Sequence, residues 1–588
     1  MIKVSNIFPI LVWIRRYGKK DFADDFMASI IVTIMLVPQS MAYAMLAGLP
    51  PVVGMYASIL PLIAYALFGS SRTLAVGPVA VISMMTATAI HNAGYSAVED
   101  QIMAALALCI MSGLFLFVLG CLRLGFLANL LSHPVISSFI TASAILIAFS
   151  QMKHILGLDI EKGNLLSTLS QLAENLANSN MTTALIGGAS VIFLFWARSG
   201  IKPLLKKLGL KGHTVELIAR SAPLCAVFVS LLIVSRMGLD QSHDVKTIGT
   251  LSGSLPPLAL PHFDLAMWQK LLPSALIISI IGFVESVSVA QSLASLRRER
   301  IDPDQELRAL GAANLTAGLS GGYPVTGGFA RSVVNFDAGA RSPLAGAMTA
   351  IFIGITTLLF TPLFYYLPHA VLAATIIVAV LSLVDFRSFI HAWQYRKADG
   401  IAALLTFLLV LGIGVEAGII AGVLSSMLLH IWHTSRPHMA VVGVVPGTEH
   451  FRNVERHDVI TSEKLITIRI DESLYFANSR YLENKINEII AGQSKLEHVI
   501  LMCSAVNEID TSALESLENI GDRLQASNIK LHLSEVKGPV MDRLKKTDFM
   551  DHLNGRIYLS QYDAIKELSP DCCRAAKNGN SQEPDYII

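Results

Sequence analysis

Long apolar blocks run from about Phe26 to about Trp432, and beyond Arg436 charges are spread throughout. The blocks fall near 26–47, 52–68, 76–91, 102–120, 132–151, 182–197, 216–236, 271–293, 306–319, 328–340, 343–363, 369–384, 399–413 and 416–434. A helix needs about 20 apolar residues to cross a bilayer. Fourteen crossings with their loops therefore account for the whole apolar stretch. The pattern predicts an N-terminal segment over 1–25, an all-α polytopic membrane domain over 26–435, an α/β domain over 436–568, and a disordered polar tail over 569–588.

Two blocks do not read as continuous spans. Thr73–Ala80 (TLAVGPVA) and Gly321–Ser332 (GGYPVTGGFARS) place Gly and Pro at membrane depth, each followed by a short apolar helix. Free backbone N–H and C=O groups survive in a bilayer only inside protein or along a cavity. The two breaks, at Gly77-Pro78 and Gly327-Gly328, fall in the third element of each seven-segment half. Paired breaks at corresponding positions are the mark of transporters built from inverted repeats. A half-helix that starts in mid-membrane presents unpaired N–H groups and about half a positive charge. Two such ends facing each other would form an anion site; the alternative is that the glycines are packing kinks.

Charge bias orients the chain. With the N-terminus inside (Arg15, Arg16, Lys19, Lys20), the inner loops hold Arg72, Arg123, Lys202, Lys206, Lys207, Lys211, Arg297, Arg298, Arg300, Arg387, Arg396 and Lys397. Glu99 and Asp100 fall outside, and Lys153 and Lys162 make one mild exception. Both termini are then expected on the cytoplasmic side of an inner (plasma) membrane.

Composition agrees: 53% of the 588 residues are hydrophobic and 15% charged, against about 25% charged in soluble domains. The net charge of +1 gives no bulk field for a nucleic acid. The six cysteines show neither a disulfide ladder nor metal spacing, and no nucleophile–base pair or phosphate loop marks an enzyme. No metal or cofactor is expected.

Few ionisable groups lie in mid-segment, where insertion costs about 2.5–3.5 kcal/mol. Glu285 is the clearest, as a proton- or cation-coupling carboxylate or as a carboxyl bonded between helices. Arg331 either attracts an anion or holds Glu285 or a helix end. Gln39 and Tyr43 lie one turn apart on one face, lining a cavity or bonding a neighbouring helix. In the tail, strands are expected over 464–470, 474–477, 498–503 and 530–534, with helices near 479–492, 512–526 and 537–547. Ser512-Ala-Leu-Glu515 fits a capping box, or alternatively a phosphoacceptor hydroxyl at a helix start.

The run Leu36–Ser58 (LVPQSMAYAMLAGLPPVVGMYAS), followed by Phe68–Ala80 (FGSSRTLAVGPVA), resembles the signature of the sulfate permease (SulP) family of anion transporters. The tail resembles its STAS domain around Asp510-Thr-Ser512. The resemblance implies a 7+7 inverted repeat divided into core and gate, a homodimer, and elevator-type secondary transport of a small anion such as sulfate. A C4-dicarboxylate or bicarbonate carrier is the rival within the family, and a membrane-tethered STAS regulator the rival outside it. A cytoplasmic protein partner for the STAS domain is also implied. By position, Gln39, Tyr43, Val79, Ala80, Phe329, Ala330 and Arg331 would line the substrate site, with Glu285 at the family's acidic position. Sodium-coupled relatives carry a hydroxyl where Val289 stands, which favours protons. Some relatives have serine at Ala330, which leaves the anion open.

Overall fold

The computed structural model describes residues 8–129, 132–160, 165–207, 209, 215, 219, 221–251, 253–258 and 264–578. Lys162, Lys211, the start of the 216–236 run and tail residues 579–588 lie outside the described residues. The chain forms two compact units, Met1–Ser426 and Met427–Ile588.

The first unit is helical, and each predicted apolar block has its counterpart. The helices are α1 (Lys19–Ala47), α2 (Pro51–Tyr56), α3 (Leu60–Phe68), α4 (Ala80–Asn92), α5 (Val98–Cys121), α6 (His133–Leu156), α7 (Leu165–Asn175), α8 (Met181–Lys207) and α9 (Ala222–Met237). They continue as α10 (Leu265–Leu296), α11 (Pro303–Leu319), α12 (Phe329–Asp337), α13 (Leu344–Leu359), α14 (His369–Leu381), α15 (Phe386–Tyr395), α16 (Lys397–Gly412) and α17 (Val415–Thr434). Among the described residues, eight helical stretches are long and apolar enough to cross a bilayer. The block expected over 52–68 is divided in two, because Pro61 stands in the first turn of α3 and cannot extend a preceding helix. The surface helix α15 was not expected; Asp385 starts it by accepting from the N–H groups of Arg387 and Ser388 at 3.0 and 3.2 Å.

The two broken blocks meet. Strands β1 (Val76–Gly77) and β2 (Thr326–Gly327) pair antiparallel, Val76 opposite Gly327 and Gly77 opposite Thr326. Gly328 N–H extends the pairing to Ala75 C=O at 3.1 Å. Pro78 has no N–H to give, so the ladder ends there; α4 begins three residues beyond β1 and α12 two residues beyond β2.

The second unit carries a six-stranded sheet in the order β4-β3-β5-β6-β7-β8. Its strands are β3 (Met439–Val444), β4 (Phe451–Asn453), β5 (Leu465–Ile470), β6 (His498–Met502), β7 (Lys530–Ser534) and β8 (Ile557–Tyr558). β5 to β8 run parallel, and β3 is antiparallel to both its neighbours. Helices α18 (Phe476–Ile490) and α19 (Thr511–Ala526) bury Leu482, Ile486, Leu517 and Leu524 against Ile468, Val499 and Leu501 on one face.

Three expectations are corrected in this unit. Residues 474–477 are not a strand: Leu474 makes a single bridge to Ile509, and α18 starts at Phe476. There Asn478 Oδ1 accepts from Tyr475 N–H at 3.0 Å and Asp510 Oδ2 from Phe476 N–H at 2.8 Å, which turns the chain into the helix. Ser512 does not cap α19. Asp510 does, accepting from Ala513 N–H at 2.8 Å, and Ser512 is left exposed in the first turn. Finally, the tail is not disordered throughout. After α20 (Gly538–Leu544) and α21 (Gln561–Leu568), residues Pro570–Asn578 form α22. Cys572, Cys573 and Ala576 are buried from it on the sheet's other face, beside Ile500, Ala564 and Ile565.

Candidate functional site

The β1–β2 pair sets two helix N-termini side by side inside the first unit. Val79 and Gly328 are the N-cap residues of α4 and α12, and neither offers a capping side chain. The first intrahelical bonds are Ser83 N–H to Val79 C=O and Ser332 N–H to Gly328 C=O, both 2.9 Å. The N–H groups of the turns before them carry the positive ends of the helix dipoles.

A cavity of about 40 Å³ opens at these ends. That exceeds the roughly 10–15 Å³ needed by one water. Val79, Ala80, Gly328, Phe329 and Ala330 line it from the helix starts, and Gln39 and Tyr43 from α1. Glu285 of α10 and Arg331 of α12 also face it. Nine of the residues singled out from sequence thus converge on one cavity, while Gly77, Pro78 and Gly327 build the crossing behind it. Ile140, Ala144 and Ile147 of α6, with Ala379 and Val380 of α14, close the apolar side.

Arg331 is 2% exposed, and neither of its terminal guanidinium nitrogens has a hydrogen-bond partner. A buried cation is almost always paired; here Glu285 faces the same cavity, but no hydrogen-bond acceptor reaches either nitrogen. Glycine makes its seat. A Cβ on Gly77 would stand 3.0 Å from Nη1, and one on Gly328 would stand 2.8 Å from Nη2. Gly77 also has φ +155°, which side chains disfavour.

Polar side chains hold the crossing rigid, and sequence reasoning missed them. Gly327 N–H donates to Ser286 Oγ at 2.8 Å. The Ser286 and Thr326 hydroxyls lie 2.6 Å apart, and each lies 2.6 Å from Gly282 C=O. Two protons therefore serve three contacts, one hydroxyl donating to the carbonyl and the other to its neighbour. Asn314 brackets Val325, accepting from its N–H and donating to its C=O at 2.9 Å each. Ser332 Oγ accepts from Ala75 N–H at 2.9 Å, and Asn335 Nδ2 donates to Thr73 C=O at 3.0 Å. An Asn in an apolar helix, or a Ser next to the singled-out Glu285, was the available signal.

Two further buried carboxylates have structural partners. Glu306 accepts from Tyr65 Oη, from Ser70 Oγ and N–H, and from Ser71 N–H. Asp25 accepts from Tyr17, Arg341 N–H and Ser342. Neither faces the cavity, so the fully bonded acids are distinct from Glu285. Among the described residues no group of three or more His, Cys, Asp or Glu is placed to hold a metal.

Comparison with known proteins identifies the family and the fold. The profile of the Sulfate permease family matches residues 22–406, and that of the STAS domain matches 453–564. The chain is 34% identical to sulfate transporter 4.1, chloroplastic, of Arabidopsis thaliana over 90% of this chain and 78% of that protein. It is 30% identical to high affinity sulfate transporter 2 of Stylosanthes hamata, over 97% and 87%. Its fold matches murine solute carrier 26 family member A9, described as an anion transporter in the inward-facing state, with TM-score 0.86, 22% identity, and 96% and 94% coverage. The transmembrane domain of a cyanobacterial bicarbonate transporter, BicA, matches with TM-score 0.58 and 20% identity over 70% of this chain and 98% of that one.

Proposed function

Because this multi-span membrane chain belongs to the sulfate permease family, we propose that it is a proton-coupled secondary transporter of sulfate or a similar small oxyanion. The observation that carries this reading is the buried Arg331 guanidinium with two free nitrogens, set in a cavity at two uncapped helix starts. A small oxyanion would supply the missing hydrogen-bond acceptors there. Its oxygens would accept from Arg331 and from first-turn N–H groups of α4 and α12, as charge-assisted bonds. Gln39 and Tyr43 would add neutral donors from α1. The relatives named as sulfate transporters favour sulfate over a dicarboxylate or bicarbonate.

Glu285 lines the same cavity, within electrostatic reach of Arg331. In this reading its proton enters with the anion, so that a charged carboxylate and a divalent anion do not share the space. Val289, one turn on, offers no hydroxyl to a sodium ion. The unit carrying the β1–β2 crossing would move as one body against the gate helices, and the polar bonds at the crossing would keep both helix starts aligned during that shift. Both termini and the STAS domain are assigned to the cytoplasmic side of the plasma membrane, with the chain working as a homodimer. A protein partner is proposed for the STAS domain, with exposed Ser512 as a candidate phosphoacceptor.

The test is uptake of radiolabelled sulfate into proteoliposomes, with unlabelled sulfate, bicarbonate, fumarate and succinate as competitors. Acidifying the side from which sulfate is taken up should drive accumulation, and sulfate should compete best. Uptake blind to the pH gradient would overturn the coupling. No uptake at all would leave a membrane-tethered regulator as the answer.

A further inference from the structure

A second, larger cavity of about 300 Å³ lies in the same unit, and its lining carries one ammonium, Lys153, and no carboxylate among the described residues. It sits on three of the helices that line the central site. On α1 the lining passes from Gln39 and Tyr43 to Met45 and Leu46. On α4 it passes from Ala80 to Thr88 and His91, and on α6 from Ala144 to Gln151 and Lys153. The two linings adjoin: Val81 of the central cavity and Met84 of the upper one are three residues apart on α4, about 4.5 Å at 1.5 Å per residue, and Ile147 and Leu146 are neighbours on α6. The upper cavity thus stands above the central one, at the end of α1 opposite its N-terminus.

Its chemistry is one-sided. Lys153 lines it, with His91, His154, Thr88, Asn92 and Gln151 as hydrogen-bonding groups, and no carboxylate among the described residues does so. The acids closest along the chain have other partners. Asp159, which Lys153 also feels electrostatically, is paired with Lys246 at 2.5 Å, and Glu416 accepts from Ser274 at 3.0 Å. The hydrogen bond of Lys153 goes to Ile160 C=O at 3.0 Å. A concave site with charge of one sign and low-dielectric walls concentrates counter-ions and speeds their capture.

We propose that this cavity is a recruiting subsite for the transported oxyanion, holding it loosely at Lys153 before it passes down to Arg331. The proposal rests on the transport reading above. The subsite serves the face on which it opens, so it sets the apparent affinity from that face and not the affinity of the central site. An anion held at Lys153 replaces solvent counter-ions, so its capture weakens as salt rises.

The experiment measures initial rates of radiolabelled sulfate uptake in proteoliposomes sorted by orientation. Lys153→Gln is expected to raise KM from the cavity face by roughly three- to tenfold, the worth of one partly exposed charge. Vmax from the cavity face and KM from the opposite face stay as in the parent, Vmax from the opposite face falls by the same factor because release passes the same subsite, and the effect grows as ionic strength is lowered. Lys153→Arg restores the KM, which a packing role alone would not allow. Thr88→Glu, which adds an acid at the same wall and leaves Lys153 in place, is expected to raise KM in the same one-sided way. An unchanged KM in folded Lys153→Gln or Thr88→Glu protein overturns the subsite, and so does a rise that is equal from both faces. If the parent shows no saturable sulfate uptake, the transport reading falls and takes the subsite with it; if the parent transports and only the one-sided effect is missing, the subsite alone falls.

Discussion

A single methyl group tests whether Arg331 holds the anion. At Gly328 the backbone has φ −87° and ψ 126°, a conformation open to any residue, so Gly328→Ala introduces no backbone strain. Its Cβ would stand 2.8 Å from Arg331 Nη2 and 2.9 Å from Nε, whereas ordinary contact begins near 3.4 Å. The guanidinium is the free end of a flexible side chain, so it yields rather than the helix start. It must retreat by about 0.6 Å, the difference between those two distances. A charge-assisted bond of about 2.8 Å stretched by that much lies outside hydrogen-bond range.

Losing one such bond costs about 1.5–3 kcal/mol, so sulfate binding should weaken about ten- to a hundredfold. Thermal stability of the protein in detergent should stay near that of the parent, because the displaced group has no protein partner to lose. Gly327→Ala is the contrast. Its Cβ would meet the Leu74 side chain at 2.5 Å, so it should lower stability through packing. Calorimetric titration with sulfate, together with thermal unfolding, separates the two. A folded Gly328→Ala protein that binds sulfate within about twofold of the parent would refute the placement of the anion on Arg331.

Other expectations follow from the same geometry. Glu285→Gln should abolish pH-driven accumulation while leaving sulfate exchange across the membrane intact; accumulation equal to the parent's would remove Glu285 from coupling. Ser286→Ala strips the acceptor from the buried Gly327 N–H, and should lower unfolding stability by about 1–3 kcal/mol; an unchanged melting temperature would show that the crossing does not depend on it. In the STAS domain, burial chiefly, with the neighbouring His498, Lys530 and Arg556, pushes the His532 imidazole from 6.5 down to about 4. The unfolded chain then binds the proton more readily. Stability is full above about pH 6.5 and falls between there and pH 4, by about 1–2 kcal/mol after screening. Amide exchange in β6 and β7 of the full chain, corrected for intrinsic rates, should show protection dropping from pH 7 to pH 5; equal protection would count against the assignment.

The unequal legibility of this chain in its sequence has physical causes. Spans were legible because a bilayer demands about 20 apolar residues in a row. The breaks were legible because Gly77-Pro78 and Gly327-Gly328 interrupt runs that lipid would otherwise require to be regular. What they do was not legible. β1 and β2 are two residues each, some 250 positions apart, and no local pattern states that Val76 faces Gly327. The hydroxyls that fix the crossing were hidden for a related reason. Ser83, Thr86, Ser279 and Ser286 all donate to the carbonyl four residues back, so a serine in a spanning helix reads as self-satisfied. Only the fold reveals that Ser286 also accepts from Gly327. The tail failed in the opposite direction. α22 buries three small residues, Cys572, Cys573 and Ala576, beneath a polar exterior, too weak a stripe to stand out from a disordered composition. β3 lost its alternation because Val442 and Val444 pack on one face while Gly443 lies against Ile460 C=O. Sequence therefore announces where lipid or water imposes a uniform demand on many residues at once. It is silent where a few side chains answer to one another across the fold, and the seat of Arg331, built from Gly77 on one broken segment and Gly328 on the other, is of the second kind.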